Sequence, residues 1–522
     1  MRRATPLVAV ALALLVFGQV VGFGFVWDDH NLIEQNPFLE QSDTVWRGFT
    51  TDFWELSNAP RDAKMYRPLV IASYWLERQA FGTSPAGPHT TNLLLHMLCA
   101  LLLWLLMRRL GVPAVAAAVG CALFAVHPVQ VEAVSNIASR GDLLATALLL
   151  GGLITWRDGR FFTSLSLMLA ACLAKEAAIV GPVLAALIAP ADSPLRARIS
   201  AILIWPAYFG ARFLALGSAT PFGDFSSHGG ALVLRYAARV LWPVAQAPYT
   251  PIETPDQLLV LGSLAVVAAI VFAVSRLPDE PRIGLLWFGL ALGPVAEVIP
   301  VGARFADLLL YLPMCGVAIA AAWLASRARP ALLTLTVVVL LAGGVSALRA
   351  PVWADDIALW THGLAIEPGH PAMTVNLATA LRRNNEPAKG CALLESIADR
   401  TDRDSATARA QYNLGNCRLE AKRFQAAATA YERALDISNG ALHQAAYNLA
   451  MARMSMGDLP GADKATRQLV EGSPLLPGAW HLRGVVLGNS GRIPEACEAF
   501  ARALSIQEDH GPSRAAMRQC VP

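Results

Sequence analysis

The chain has 522 residues, a formal net charge of +3 and a mean hydropathy of +0.44; 55% of its residues are hydrophobic and only 16% are charged. Since soluble proteins carry roughly 25% charged residues, this composition indicates that most of the chain lies in a lipid bilayer. The small net charge excludes a nucleic-acid-binding protein. The eight cysteines have neither the density of a disulfide framework nor the spacing of a zinc site, so we expect no structural metal.

Apolar stretches recur from Leu7 to Leu348 and then stop. A helix needs roughly 20 apolar residues to cross the hydrocarbon of a membrane. The sequence predicts eleven spans, namely Leu7 to Val26, Thr91 to Met107, Pro113 to His127, Asp142 to Trp156, Phe161 to Leu173, Ala177 to Pro190, Ile199 to Leu216, Gln257 to Val274, Ile283 to Pro300, Leu308 to Leu324 and Ala331 to Leu348. We therefore expect an all-α chain with a polytopic membrane domain over residues 1–350 and a second domain over residues 351–522.

Arginine pairs between the spans predict the orientation, because Lys and Arg of short loops stay on the cytoplasmic side. If all spans are real, the pairs fall on one face together with Arg2 and Arg3. This places the N-terminus in the cytoplasm and residues 351–522 outside. An alternative for the first span is a cleaved signal peptide.

The second domain contains a repeat with a period close to 34 residues, with units that begin near Ala408, Leu442 and Pro477. Small and aromatic residues recur at fixed offsets, as in Gly484 and Phe500 of the last unit. This pattern is typical of tetratricopeptide repeats, so we predict an α-solenoid. Solenoids of this kind bind peptides, dock partners or act as spacers, and the pattern does not choose among these roles.

The repeat register also predicts two disulfide bonds. In a weaker unit that begins at Pro371, Cys391 occupies the twenty-first position, in the second helix, as Cys497 does in the unit that begins at Pro477. Cys417, counted from Ala408, and Cys520, counted from Gly511, both occupy the tenth position of the next unit, in its first helix. These helices pack together in a solenoid, which brings each pair within the roughly 4.4–6.8 Å between Cα atoms that a disulfide requires. The alternative is four small buried hydrophobic residues.

Polar groups gather on the predicted outer face. The first outer loop, residues 27–90, opens with Asp28 and Asp29 at the end of the first span. A carboxylate at the membrane interface is partly desolvated, which raises its pKa and suits a general base. The alternative is an ordinary solvated helix end with Asp28 as the N-cap.

Further charged and polar side chains return to the same face. They are Arg67, His127, Glu132, Arg140, Asp142, Lys175, Glu176, Arg304 and Tyr311. Charges at membrane depth are costly and mark functional sites, and cations near the outer leaflet suit a lipid phosphate. The alternative is structural ion pairing, such as Lys175 with Glu176 or Arg140 with Asp142.

Several segments carry a resemblance to a known family. They are Val26-Trp27-Asp28-Asp29, Tyr66-Arg67-Pro68-Leu69, Asn92-Leu93-Leu94-Leu95-His96, His127-Pro128-Val129-Gln130-Val131-Glu132, Arg140-Gly141-Asp142, Lys175-Glu176 and Tyr311-Leu312-Pro313. In this order, followed by tetratricopeptide repeats, they resemble the transmembrane and tetratricopeptide repeat-containing O-mannosyltransferases and their bacterial relatives, which are GT-C glycosyltransferases. The segment Gly302 to Leu308 departs from the family's usual Glu-Arg-Tyr.

The resemblance implies an inverting transfer of a sugar, with mannose the best-known case, from a polyprenyl-phosphate donor to a Ser or Thr hydroxyl of an exported polypeptide. Asp28 would be the base, with Asp29 beside it, and Arg140 with Lys175 or Arg304 would neutralise the lipid phosphate. Arg67, His127, Glu132, Asp142, Glu176 and Tyr311 would support the pocket. We expect no cofactor and leave metal dependence open.

Arginine- and alanine-rich usage indicates a bacterial inner-membrane protein whose solenoid is periplasmic and in contact with the polypeptide acceptor. Two alternatives come from other classes. One is a non-catalytic membrane-anchored scaffold of the cell envelope, and the other is a polyprenyl-lipid transporter, which would require polar groups at the midplane of the membrane.

Overall fold

The structure is a computed structural model that describes residues 5–59, 64–190, 200–218, 229–243, 247–248, 272, 274–294 and 305–520. These residues are predominantly helical, so the predicted all-α fold class is confirmed. The chain forms two compact units, Met1–Leu359 and Trp360–Pro522.

Within the described residues, the first unit is built mainly from apolar helices. Its α-helices are α1 Thr5–Phe17, α2 Thr44–Arg47, α3 Pro68–Phe81, α4 Ala86–Arg109, α5 Ala114–Val126, α6 Gln130–Ser135, α7 Arg140–Arg157, α8 Phe161–Ala174, α9 Gly181–Leu187, α10 Ile204–Leu216, α11 Gly229–Leu241, α12 Asp279–Leu292, α13 Pro313–Arg327 and α14 Arg329–Arg349. Single-turn helices occupy Gly18–Gly22, His30–Glu34, Pro37–Glu40, Ile137–Ser139, Glu176–Val180, Ala201–Leu203, Asp307–Leu310 and Ala350–Trp353.

Only part of the predicted membrane topology can be compared with these helices. Among the described residues, three helical segments are long and apolar enough to cross a bilayer, namely Ala86–Arg109, Ile137–Arg157 and Arg329–Trp353. Other predicted spans correspond to shorter apolar helices, such as Ala114–Val126. Most of the span Gln257 to Val274 lies outside the described residues, and the eleven crossings stay a prediction. Helix α11 lies between two predicted spans and corresponds to none of them.

Helix α5 lies at the centre of the first unit, in contact with α1, α4, α13 and α14. Small residues allow this close packing: a Cβ atom added to Gly120 would lie 2.4 Å from the carbonyl oxygen of Ala318 in α13. Gly284 of α12 and Gly316 of α13 approach each other in the same way. Small residues at helix contacts are the usual means by which apolar helices pack in membranes.

Over its described residues, the second unit contains four pairs of helices, preceded by one single helix and followed by another. They are α15 Asp356–Ile366, which starts at the end of the first unit, α16 Pro371–Arg383, α17 Pro387–Glu395, α18 Ser405–Glu420, α19 Phe424–Ile437, α20 His443–Ser455, α21 Leu459–Gly472, α22 Pro477–Asn489, α23 Ile493–Ile506 and α24 Gly511–Met517. Cβ atoms added to Gly415 and Gly484 would each lie 2.4 Å from an aromatic ring, of Tyr431 and Phe500 respectively. The small and aromatic residues of the repeat therefore face each other within a helix pair, as a solenoid of this type requires.

The turn inside each helix pair contains a residue with left-handed backbone. The residues are Asn385, Lys422, Gly457 and Gly491, with φ of 61°, 57°, 76° and 77°. Glycine adopts this conformation at little steric cost, whereas a lysine is strained there. The turn geometry is thus common to four helix pairs although its residue is not.

Two disulfide bonds join Cys391 to Cys417 and Cys497 to Cys520, each with 5.7 Å between the Cα atoms. These are the pairs that the repeat register predicts. Cys520 lies in the turn after α24 and not within the helix. The other four cysteines of the chain are buried, unpaired and in the first unit.

Candidate functional site

The segment that carries Asp28 and Asp29 leaves the single-turn helix Gly18–Gly22 and turns sharply at Trp27, whose φ is 52°. Asp29 is fully buried. Its Oδ2 accepts a hydrogen bond of 3.1 Å from the Val26 amide, and its Oδ1 accepts one of 2.8 Å from the Ala138 amide. Asp28 is partly exposed. The two neighbouring carboxylates therefore have different environments, and both oxygens of Asp29 accept hydrogen bonds from backbone amides.

Burial raises the pKa of the Asp29 carboxyl from 3.8 to about 7, against the opposing effect of the two backbone hydrogen bonds. A carboxyl with this pKa exchanges its proton near neutral pH. Because both of its oxygens accept hydrogen bonds from backbone amides, Asp29 ties the turn at residues 26–29 to Ala138.

The segment that receives Asp29 is itself held by buried side chains. The Asn136 side chain accepts from the Ala138 amide at 3.1 Å, and the Asn92 side chain donates to the Asn136 carbonyl at 3.1 Å. The Tyr74 hydroxyl donates to the Ile137 carbonyl at 3.2 Å. Side chains of α3 and α4 thus position the segment 136–138, whose Ala138 amide binds Asp29.

Arg140 is fully buried beside this segment. Its Nη1 lies 2.7 Å from Glu77 Oε1, its Nε donates to Asn92 Oδ1 at 2.6 Å and its Nη2 donates to the Pro88 carbonyl at 2.9 Å. The guanidinium also lies over the Tyr74 ring. These contacts favour a positioning role for Arg140 over the direct phosphate contact that the sequence suggested.

A second group of charges contains Arg67, Asp142, Lys175 and Glu176. Arg67 donates to Glu176 Oε2 from Nε at 3.1 Å and from Nη2 at 3.0 Å, and Lys175 Nζ pairs with Asp142. The pairs suggested by the sequence, Lys175 with Glu176 and Arg140 with Asp142, were therefore wrong. Arg140 and Asp142 lie two residues apart on α7 and point in different directions, and the adjacent Lys175 and Glu176 do not face each other. Each of these side chains therefore pairs with a residue of another element.

A third group contains the predicted residues His127 and Glu132. Glu132 Oε2 accepts from the Leu308 amide at 3.2 Å, and His127 Nε2 lies 3.1 Å from the Val240 carbonyl. Beside them, Asp307 binds Arg239 through two hydrogen bonds of 2.8 and 3.1 Å and Arg349 through one of 3.1 Å. Arg304 lies outside the described residues.

Tyr311 is buried, and its hydroxyl contacts a histidine rather than the residues of these ion pairs. Its hydroxyl is 2.8 Å from His96 Nδ1, while His96 Nε2 is 2.9 Å from the Ala125 carbonyl. The contacts of Tyr311 thus support the packing of α4 against α5 and the start of α13.

Several residues that contact the site were not predicted from the sequence. Glu77 pairs with the predicted Arg140, and Asp356 holds the Asp28 turn. Arg239 and Arg349 both pair with Asp307, beside the predicted His127 and Glu132. The only signal for Glu77 was its place on a mostly apolar stretch, Leu69 to Phe81. Within the described residues, no group of three or more His, Cys, Asp or Glu side chains is arranged to hold a metal ion.

The described residues define an all-helical protein that combines apolar helices of a membrane type with a tetratricopeptide repeat solenoid. Residues 370–439 and 477–510 match the tetratricopeptide repeat family. Among solved structures, MamA is similar at 24% identity, with a TM-score of 0.27, over 29% of this chain and 81% of that chain.

The chain is also a distant relative of proteins named protein O-mannosyl-transferases. It is 24% identical to one from Caenorhabditis elegans over 72% of this chain and 60% of the relative. It is 31% identical to one from Drosophila melanogaster and 34% identical to one from Homo sapiens, over 34% and 32% of this chain. The matched parts cover 22% of the fly relative and 21% of the human relative, so the chain spans less than two thirds of each of the three.

Proposed function

We propose that this chain is a membrane glycosyltransferase that moves a sugar, mannose by analogy with the names of its relatives, from a polyprenyl-phosphate donor to a Ser or Thr hydroxyl of a polypeptide. The relatives' names support the glycosyltransferase class. The donor, the inverting mechanism and the acceptor are our inference from the predicted residues and their contacts.

The observation that carries the proposal is the difference between the two neighbouring aspartates. Both oxygens of Asp29 accept backbone hydrogen bonds, whereas Asp28 is partly exposed on the turn that Asp29 stabilises. A general base must reach the proton that it removes. Asp28 is therefore the base in this proposal, and Asp29 positions it.

The leaving lipid phosphate requires cations that a ligand can reach. The side chains of Arg67 and Lys175 are 18% and 10% exposed, while that of Arg140 is 0% exposed. We propose that Lys175, with Arg67 beside it, contacts the phosphate through charge-assisted hydrogen bonds. Arg140 instead holds the segment that binds Asp29. Arg304 stays a candidate from the sequence.

The domain assignment belongs to the same proposal, with residues 1–350 as the transferase domain and residues 351–522 as a solenoid that selects acceptor polypeptides in the periplasm of a bacterium. Two disulfides in the solenoid support an oxidising compartment. An orientation with the N-terminus in the cytoplasm follows from the arginine pairs. Reporter fusions after Arg349 that behave as cytoplasmic would contradict it.

The test is transfer of a labelled sugar from a polyprenyl-phosphate donor to a peptide by purified full-length chain. Asp28→Asn should lower kcat by roughly 10²- to 10⁴-fold, because the base is lost, without reducing donor binding. Asp43→Asn is the matched control, since Asp43 is exposed in the same loop and should keep full activity. Equal activity of the Asp28→Asn variant and the wild type would refute the assignment, and a wild type without transferase activity would favour the scaffold function.

A further inference from the structure

The turn that carries Asp28 is held from a distant part of the sequence, the segment 354–356 at the end of the first unit. The Gly24 amide donates to the Ala354 carbonyl at 2.9 Å. The Trp27 amide donates to Asp356 Oδ1 at 2.8 Å, and His30 Nε2 lies 2.8 Å from Asp356 Oδ2. One carboxylate thus contacts the residue before Asp28 and a side chain two residues after it.

The contact to Trp27 has a particular consequence for the backbone. With φ of 52°, Trp27 has a left-handed conformation that a large side chain disfavours, so surrounding contacts must maintain it. Its amide hydrogen bond to Asp356 is such a contact. His30 is fixed in turn, because its other ring nitrogen, Nδ1, lies 2.6 Å from Glu34 Oε2.

On the other side of the turn, Asp29 bonds to the amides of Val26 and Ala138. The backbone on both sides of Asp28 is therefore anchored, by Asp29 toward the segment 136–139 and by Asp356 toward the segment 354–356. Two anchors that pull on different sides determine where the Asp28 side chain starts and in which direction it leaves the backbone.

We propose that Asp356 is a positioning residue for Asp28, an inference that rests on the proposed function of Asp28 as base. Asp356 maintains the left-handed turn at Trp27 and, through His30, the helical turn that follows. Removal of its carboxylate lets the turn relax and displaces Asp28 from the acceptor hydroxyl. A displacement on the order of 1 Å in a reacting group lowers a rate by roughly 100-fold.

The test compares Asp356→Ala and Asp356→Asn with Asp355→Asn in the full-length chain. Asp355 is the neighbouring residue, is exposed and caps helix α15 by accepting from the Ala358 amide at 2.8 Å. Asparagine caps helices as well as aspartate does, so Asp355→Asn changes the charge at this place without removing a contact. We expect Asp356→Ala to lower kcat by roughly 10- to 100-fold with KM for donor and acceptor unchanged. Asp356→Asn, which keeps one acceptor oxygen, should lose less, and Asp355→Asn should match the wild type.

Hydrogen exchange of the peptide that spans residues 24–30 supplies a readout that does not depend on activity. Loss of the bond to Asp356 should speed exchange of the Trp27 amide by about tenfold in Asp356→Ala and not in Asp355→Asn. Unchanged exchange in Asp356→Ala would overturn the proposal, as would faster exchange with an unchanged kcat. A wild type that is inactive with every donor would refute the proposed function, while the exchange result would still decide whether Asp356 holds the turn.

Discussion

Arg140 offers the sharpest contrast between the prediction from sequence and the contacts in the structure. Arg140→Leu removes the partner of Glu77, which is itself 7% exposed, and leaves the Asn92 side-chain oxygen and the Pro88 carbonyl without this donor. Breaking a buried ion pair by removing one partner costs roughly 3–5 kcal/mol, because the other charge stays buried. We expect Arg140→Leu to destabilise the first unit by about 4 kcal/mol.

Companion variants separate the cost of the lost pair from the cost of the buried charge. The double variant Arg140→Leu with Glu77→Leu removes both charges and should recover about 2 kcal/mol relative to Arg140→Leu alone. Arg140→Lys keeps the charge but a single ammonium group cannot reproduce the fork of three contacts, so it should be intermediate. Urea unfolding in detergent of the wild type, Arg140→Leu, Glu77→Leu and the double variant, which form one double-mutant cycle, measures these differences, and Arg140→Lys is unfolded beside them.

Donor binding measured on the same folded variants decides between the two roles. If Arg140 positions the segment 136–140, Arg140→Lys should bind the polyprenyl-phosphate sugar in proportion to its folded fraction. Unchanged stability of Arg140→Leu together with weakened donor binding would refute the positioning role and restore the direct phosphate contact predicted from sequence.

Three further predictions concern Asp29, the two disulfides and the left-handed turn at Lys422. Burial raises the pKa of Asp29 from 3.8 to about 7, so the folded chain keeps a proton that the unfolded chain loses, and stability should fall as the pH rises from about 4 to about 7; Asp29→Asn should lack this part of the pH dependence in urea unfolding. Peptide mass spectrometry without reduction should find Cys391 joined to Cys417 and Cys497 joined to Cys520, and free thiols at these positions would contradict the repeat register. Lys422→Gly should raise the stability of the second unit by about 0.5 kcal/mol, because it relieves the left-handed strain, whereas Lys422→Ala should not.

The solenoid was predictable because its structure depends on local sequence. Gly415 with Tyr431 and Gly484 with Phe500 recur at one offset, and each glycine provides the space that the ring fills. Since neighbouring repeats pack in a constant register, the same arithmetic predicts which cysteines meet. Only the end of the chain differs, because α24 stops at Met517, before Cys520.

The partners of the buried charges were not predictable in the same way. Lys175 and Glu176 are adjacent, and adjacent side chains do not face each other. Lys175 has extended backbone, with φ of −158°, and Glu176 begins the next helical turn, so the two leave the chain toward different neighbours. Arg140 and Glu77, or Trp27 and Asp356, are far apart in sequence, and no local pattern connects them.

The ion pairs also change how the donor phosphate would be bound. Each cation of the predicted pocket that the structure describes already has a carboxylate: Glu176 for Arg67, Asp142 for Lys175 and Glu77 for Arg140. A phosphate that enters such a cluster gains only the difference between its bonds to the cations and the bonds of the carboxylates that it replaces. The cluster is therefore better suited to orient the phosphate than to attract it over a distance. Under the proposed function, donor affinity would then come largely from the apolar lipid chain and the rate from the placement of Asp28. The contacts that hold the Asp28 turn would therefore matter as much as the cations.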